Sequence, residues 1–574
     1  MKFSDILKNN IELGNALTGN EFKIAVLSNV ITNQINPILE YYLRKEAVFA
    51  KCESGNYDNI VQEAQKYKEK DLILIVWELS NLIDGLQYRA DLLSEKEIDD
   101  LIIRFKNEIN HVFLELKNTS SIIVTKFSTM IFNHHLIKKN NFDKICDELN
   151  EYLVKSTPTN CLLIDVDKIF SKISVLKSVD FRNYYSSKSL YTVDFYCELS
   201  KIISPFIFSI KGKAKKALIL DCDNTLWKGI VGEDGPEGIK MSSKDSNGVV
   251  FEEIQYLIKS LSRKGVIIGI NSKNNADDVL DIFNNHKEMS LLTSDLSIQK
   301  INWKDKVTNL QDISNELNIG IDSIVFMDDS DFEINMVEQY LPNVKSIQVP
   351  KHIYLYPDYF RQNINLFFNN TLLKEDFNRQ QMYQEQVLRD ENKSQFENIE
   401  DYIKSLQLNM SFYIDNSKIV SRIAQLTQKT NQFNLTTIRY TENDIRALIE
   451  DSNSLVYAFG LKDKYGDFGI TGVSIVKLFR NKAKIDSFLM SCRVLGRNIE
   501  NKFLQLILEH LKSLKIVEVN ATYIKTQKNI QVENFFNQIG FVEISNSNST
   551  KNYKGILKNL LNNDLKYIKV TYEK

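Results

Sequence analysis

The chain has 574 residues, 43% of them hydrophobic and 25% charged, with a formal net charge of −2. That length exceeds one hydrophobic core and implies about three domains, while balanced, intermixed charge excludes a nucleic-acid footprint or a polybasic membrane patch. No apolar run approaches a membrane span, the first residues (MKFSDILKNNIELG) have a helical period instead of a signal-peptide core, and six scattered cysteines without a CxxC pair fit a reducing cytosol, so a cytoplasmic location without nucleic-acid or membrane partners is expected.

Residues 22–27 read as a buried strand, followed by the loop SNVITNQI and by INPILEYYLRKE with apolar positions at helical spacing. Further strands are expected at 72–77, 121–125 and 161–166, the last stopping on Asp165 and Asp167 in a strand-end turn. Strands alternating with helical segments over 1–210 indicate a parallel α/β domain. Ser28 with Asn29, and Asn81 beyond the second strand, resemble the spacing of the SGNH esterase fold. That chemistry needs a histidine to activate the serine, and none occurs from 180 to 204. The expectation is a degenerate SGNH-like domain that binds or scaffolds, with Ser28 a loop serine.

Lys211, Lys213, Lys215 and Lys216 read as a solvated linker into a central domain at 211–369. The apolar run ALIL then stops on Asp221 and Asp223, and Thr225 completes a DxDxT pattern. A second strand at 266–270 ends in Asn271, Ser272 and Lys273; Lys306 opens a helical stretch; a third strand at 323–327 ends in Asp328 and Asp329, with Glu333 beyond. Carboxylates ending a buried parallel strand lie at the carboxyl edge of an α/β sheet, where such sheets bind ligands.

Displacement at phosphorus needs a nucleophile whose charge, with that of the phosphate, is offset by a cation. Asp221 fits the nucleophile. Asp223, on the same face of an extended backbone, fits the acid that protonates the leaving alkoxide and later takes a proton from water. Magnesium keeps several waters, so two or three protein oxygens suffice: Asp221, the backbone carbonyl of Asp223, and Asp328, with Asp329 orienting the metal's waters. Ser272 is placed to donate to a phosphate oxygen and Lys306 to neutralise developing charge; Asn271 and Thr225 are further substrate-binding candidates. Residues 229–238 allow only a small flap over the site.

In order, these signals resemble the haloacid dehalogenase superfamily of phosphoryl-transfer enzymes. More narrowly, LDCDNTLWKGIVGEDGPEGI, INSKN, INWKDK and FMDDSDFE resemble the FkbH-like family, whose members are glyceryl transferases. The resemblance implies a reaction that takes 1,3-bisphosphoglycerate, removes a phosphate and delivers the glyceryl group to the phosphopantetheine thiol of an acyl carrier protein. TQKTNQFNLTT, DKYGDFGITGV and SCRVLGRNIE resemble the same family's third domain.

The remaining region, 370–574, opens with one or two linking helices over 373–406. Asn431, Gln432 and Asn434 then belong to an amide-rich segment that serves either a ligand or an internal polar network, since buried amides are costly unpaired. Strands are expected at 455–461, 469–478 and 485–489. Arg493, Gly496 and Arg497 lead into an amphipathic helix, as in GNAT-type acyltransferases, which hold a pyrophosphate at a helix start. Cys222, inside the DxD pattern but on the opposite face, and Cys492, beside Arg493, are the two thiols open to a covalent role.

The sequence thus predicts an α/β protein with a central haloacid dehalogenase-type Rossmann-like domain and minimal cap, a degenerate SGNH-like domain before it and a GNAT-like α+β domain after it. The expected function is a magnesium-dependent glyceryl transferase that uses a phosphorylated three-carbon metabolite to load an acyl carrier protein in polyketide-type biosynthesis. Two alternatives stay open: a phosphatase of a small phosphate ester, and a carrier-binding scaffold without catalysis.

Overall fold

The computed structural model describes residues 2–133, 137–368, 389, 396, 398–526, 528–547, 549–560 and 565–573. They form two compact units, Met1–Ile207 with Tyr440–Asp444, and Phe208–Arg439 with Ile445–Lys574. Most of the linking-helix segment expected at 373–406 lies outside the described residues; its end forms the helix Ile399–Ser405.

The first unit carries five strands, β1 (Phe22–Ser28), β2 (Ala50–Ser54), β3 (Leu72–Val76), β4 (Ile122–Thr125) and β5 (Cys161–Ile164), in the order β2-β1-β3-β4-β5. All neighbours are parallel, as an alternation of short apolar runs with helices requires. Ser28 is the last residue of β1 and not a loop residue. It is buried, its Oγ donating to Val76 O at 2.9 Å and accepting from Val30 N at 3.1 Å. Asp165 accepts from Asp167 N at 3.2 Å, turning the chain from β5 into the helix Asp167–Ile173.

The second unit begins with another parallel sheet: β6 (Ala217–Leu220), β7 (Ile267–Ser272), β8 (Ile298–Ile301), β9 (Ile324–Asp328) and β10 (Lys345–Gln348), ordered β10-β9-β6-β7-β8. The two-residue period sorts its core. Leu218, Leu220 and Cys222 join one apolar cluster with Ile268, Ile270, Val325 and Met327, while Ala217 and Ile219 join the other with Ile267, Ile324 and Phe326. Both faces of the three middle strands are covered, which is why β6, β7 and β9 read as largely apolar runs. Between Thr225 and the helix Gly248–Arg263 stands one short helical segment, Val231–Gly238, kinked at Gly235, whose φ is 67°.

The lysines before β6 are not a solvated linker throughout. Lys215 and Lys216 are half-buried, and their Nζ atoms donate to Asp322 O at 2.7 Å and Lys429 O at 3.1 Å.

A second, mostly antiparallel sheet follows. Its strands are β11 (Asn409–Ile414), β12 (Ser454–Lys462), β13 (Asp467–Phe479), β14 (Lys482–Met490), β15 (Glu518–Ile524), β16 (Val542–Asn546), β17 (Thr550–Ile556) and β18 (Lys569–Glu573). Their order is β16-β17-β15-β14-β13-β12-β11-β18. β14 and β15 run parallel, as the intervening helix Ile499–Ser513 allows. They pair only over Lys482–Ile485 and Glu518–Ala521. Beyond that the amide-rich segment bridges them: Met490 N donates to Phe433 O, Leu435 N to Phe488 O and Ile524 N to Leu435 O, at 2.8–3.1 Å.

Candidate phosphoryl-transfer site

Three neighbouring parallel strands deliver the site. β6 ends immediately before Asp221, β7 ends on Ser272 and β9 ends on Asp328, so all three arrive at one carboxyl edge. The fourth contribution comes from the helix Lys306–Glu316. Asp305 caps it, accepting from Thr308 N at 2.7 Å, and sets Lys306 at its first position.

Lys306 Nζ lies 2.9 Å from Asp221 Oδ1 and 2.5 Å from Asp328 Oδ2, and all three side chains are buried. Burial alone would lower the lysine's pKa; the charges of Asp221 and Asp328 outweigh it and raise it, so the ammonium persists. Burial and the Asp221 charge push Asp328 up to about 6, against Lys306, and Asp329 is pushed up to about 6 by the same two causes. Asp221, Asp328 and Asp329 each offer an oxygen within 4.8 Å of the others. An all-carboxylate set of this size, with places left for water, fits a magnesium ion.

Asp223 is turned away from that cluster. Its Oδ1 accepts from Trp227 Nε1 at 2.9 Å and Val231 N at 3.1 Å, and its Oδ2 from Asn274 Nδ2 at 2.8 Å. Three donors thus fix the carboxylate half-exposed beside the flap helix. Between the two aspartates the backbone turns through Asn224, whose φ of 51° is one that asparagine tolerates and whose Oδ1 accepts from Gly229 N at 3.1 Å. Ser272 Oγ is buried and accepts from Asn274 Nδ2 at 3.2 Å, so Asn274 ties the serine to Asp223.

Several expected substrate contacts have other duties. Asn271 is fully buried, donating to Lys306 O at 3.0 Å and accepting from Asn309 Nδ2 at 3.0 Å. Both ends of its amide are used, so it fastens the helix that presents Lys306. Thr225 is likewise fully buried. Its N–H donates to Cys222 O at 3.1 Å and its carbonyl accepts from Tyr356 at 3.2 Å, which makes it part of the turn. Cys222 packs in the apolar cluster beneath the site, and burial, with Asp221 nearby, raises its thiol pKa well above the usual value. A thiol held neutral is a poor nucleophile, which argues against the covalent role left open for Cys222. The side chain of Cys492 lies outside the described residues.

The third-domain candidates are not at this edge. Asn434 is buried, donating to Thr430 O at 3.2 Å and accepting from Thr437 N at 2.8 Å; it serves the internal network. Arg497 stacks on Phe468 at 5.0 Å and lies 3.8 Å from Asp463 Oδ2. Gly496 takes a φ of 77° in the turn before the helix. Asn431, Gln432 and Arg493 do come together, in a cavity of about 570 Å³ also lined by Lys216, Ile267 and Ser323. Those three residues stand where β6, β7 and β9 begin, at the sheet edge opposite the carboxylates.

Sequence reasoning missed Asn274 and Trp227, which hold Asp223, and the pairing of Lys273 with Glu333 at 2.6 Å. Asn274 has a local signal, standing two residues beyond Ser272 in NSKN.

No protein-family model and no curated protein matches the chain. Among solved structures, the N-terminal part of the protein BF1531 from Bacteroides fragilis, described as containing a phosphatase domain and complexed with Mg, matches with a TM-score of 0.57 at 24% identity. The match covers 65% of this chain and all of that one. The PaiA N-acetyltransferase of Thermoplasma acidophilum, in complex with coenzyme A, matches over 20% of this chain and 72% of its own at 17% identity and a TM-score of 0.18. Ard1 of Thermoplasma volcanium matches over 26% and 97% at 15% identity and a TM-score of 0.21. This chain therefore shares its fold with the phosphatase-containing part of the Bacteroides protein.

Proposed function

We propose that the chain catalyses magnesium-dependent phosphoryl transfer through Asp221. The observation that carries this reading is the buried cluster in which one ammonium, Lys306, lies within 3 Å of carboxylates ending two adjacent strands, with Asp329 completing an oxygen set for a hard cation. Asp221, Asp328 and Asp329 would hold magnesium, which supplies positive charge that offsets repulsion between the nucleophile and the incoming phosphate. Asp221 attacks phosphorus and becomes the aspartyl phosphate. Asp223 protonates the departing oxygen and then accepts a proton from the water that releases phosphate. Lys306 offsets the charge developing on the phosphoryl group, and Ser272 orients it.

The finer reading is that Asp221 removes the alkyl 3-phosphate of 1,3-bisphosphoglycerate, and that the acyl phosphate kept on the same molecule is attacked at its carbonyl carbon by the phosphopantetheine thiol of an acyl carrier protein, which forms the glyceryl thioester and releases the second phosphate. In this reading the first unit is a non-hydrolytic SGNH-like domain, and the last region a GNAT-like domain that engages the carrier. A specific observation supports a substrate borne by a protein. Trp303, Phe332 and Tyr354 are 76%, 64% and 70% exposed, and each follows a strand at the same carboxyl edge: Trp303 in the loop after β8, Phe332 in the first turn of the helix Asp331–Tyr340 after β9, and Tyr354 in the 3-10 turn Ile353–Leu355 after β10. Exposed aromatics at the edge that carries a site are the residue type that docking surfaces use. The test is to incubate the protein with magnesium, bisphosphoglycerate and holo carrier protein and to weigh the carrier. A glyceryl mass gain supports the transferase; phosphate release without it leaves the phosphatase of a small ester, and neither result leaves the scaffold.

A further inference from the structure

The two oxygens of Asp223 are not equivalent. A carboxylate oxygen has about two acceptor sites. Both sites of Oδ1 are taken, by Trp227 Nε1 at 2.9 Å and Val231 N at 3.1 Å, whereas Oδ2 accepts from Asn274 Nδ2 alone, at 2.8 Å. The proton that Asp223 exchanges in the proposed reaction therefore belongs on Oδ2, and Asn274 decides where that oxygen stands.

Asn274 is itself firmly held. It is buried, between Ser272, the last residue of β7, and Asn275, which caps the helix Ala276–Asn285 by accepting from Asp277 N at 3.4 Å. Lys273, the residue before it, pairs with Glu333 of the helix Asp331–Tyr340 at 2.6 Å. The sense of the amide is fixed as well. A carboxylate only accepts, so the nitrogen faces Asp223, and the same nitrogen donates to Ser272 Oγ at 3.2 Å. One side chain thus divides its two N–H bonds between the proton-carrying carboxylate and the hydroxyl that orients the phosphoryl group.

We infer that Asn274 is a positioning residue that fixes Asp223 Oδ2 relative to the phosphoryl group, and that it sets this centre for alkyl rather than acyl phosphates. With Asp221 read as the nucleophile, on which this role depends, the Asp221–phosphorus bond forms as the ester bond breaks. An alkoxide leaving in that step takes the proton from Oδ2; a carboxylate leaving from an acyl phosphate needs none. Water then attacks the aspartyl phosphate, returns a proton to Oδ2 and frees inorganic phosphate. A displaced Oδ2 therefore harms the alkyl donor far more, and a misplacement of about 1 Å is worth on the order of a hundredfold.

The test follows single-turnover phosphorylation of Asp221 in the full chain, with magnesium and either phosphoglycerate, an alkyl donor, or acetyl phosphate. Asn274→Ala should slow the reaction with phosphoglycerate by about tenfold or more beyond any effect with acetyl phosphate. Asn274→Asp, of the same shape but without the donor, should do the same. In the Asp223→Asn background, Asn274→Ala should add nothing with phosphoglycerate, because the two residues act as one unit. Urea unfolding in chelator establishes that the variants are folded, and the aspartate variant carries the comparison should alanine fail. Equal slowing with both donors, no slowing, or additive slowing in Asp223→Asn would overturn the role of Asn274. An unsubstituted chain that reacts with acetyl phosphate alone would overturn the setting for alkyl donors. One that places no phosphoryl group on Asp221 would instead overturn the nucleophile reading, a result distinct from the others.

Discussion

Lys306 Nζ stands 2.5 Å from Asp328 Oδ2 and 2.9 Å from Asp221 Oδ1, so one buried ammonium joins the carboxylates at the ends of the adjacent strands β6 and β9. Taking that charge away leaves two buried carboxylates facing each other. Lys306→Met is expected to cost about 3 kcal/mol or more in chelator, because an uncompensated buried charge is far costlier than the pair it came from. Turnover should fall by about a hundredfold or more, the scale of losing one preorganised electrostatic partner. Urea unfolding and steady-state rates check the two halves, and unchanged values in both would remove Lys306 from the site.

Asn271 acts one step back, through the carbonyl of Lys306. Asn271→Ala takes away the side-chain donor to that carbonyl and one of the two acceptors of the Asn309 amide, which keeps Asn302, in a buried place, at a cost of about 1–3 kcal/mol. As a positioning residue it should lower kcat more than it raises KM. A change confined to KM would return Asn271 to the substrate-binding role expected from its place after β7.

The raised pKa values of Asp328 and Asp329 give stability a pH dependence of defined sign. From the usual 3.8 up to about 6, the folded, metal-free chain holds protons that the unfolded chain has released. Its stability in chelator should therefore fall as pH rises across that window and level off above it. Magnesium competes with those protons, so its affinity should rise from pH 5 to pH 7. Unfolding midpoints with and without magnesium at several pH values test both, and a metal affinity flat across the range would contradict the ligand set.

Asp223 is held by Trp227, Val231 and Asn274, and its proposed work is proton transfer to the leaving group. Asp223→Asn should slow hydrolysis of an alkyl phosphate by about 10²–10⁴-fold and slow loss of phosphate from an acyl phosphate, a better leaving group, much less in the first step. Equal slowing of that step for both donors would show that Asp223 does not protonate the departing oxygen.

β6, β7 and β9 of the central sheet were legible because both of their faces are buried, so runs such as ALIL and IVFM are apolar without interruption. β8, β10 and β11 escaped the same reading: IQKI and KSIQ are short, partly exposed and polar, and NMSFYI looks like any mixed segment until its partners β12 and β18 are known. Within the site, Asp221, Ser272, Lys306 and Asp328 are brought together by strand ends and a helix start, which local sequence marks. The duties of Asn271 and Asn434 were not legible. An amide after a strand looks the same whether it faces a ligand or a neighbouring carbonyl, and Asn309 and Thr437, which decide the matter, are contributed by the tertiary fold and by a loop turn. Asn431 and Gln432, read from the amide-rich segment, and Arg493, read from the basic turn before the helix Ile499–Ser513, line one cavity, and only the start of β6, β7 and β9 against them shows which edge of the sheet they share.

The central claim is that Asp221 carries the phosphoryl group. The direct measurement is to mix the protein with magnesium and an acyl phosphate, quench in acid, digest, and weigh the peptide that contains Asp221. One phosphoryl group on Asp221 is expected, accumulating in Asp223→Asn, where its release is slowed, and absent from Asp221→Asn, which should not turn over. A phosphoryl group on any other residue, or turnover that survives in Asp221→Asn, would contradict the account.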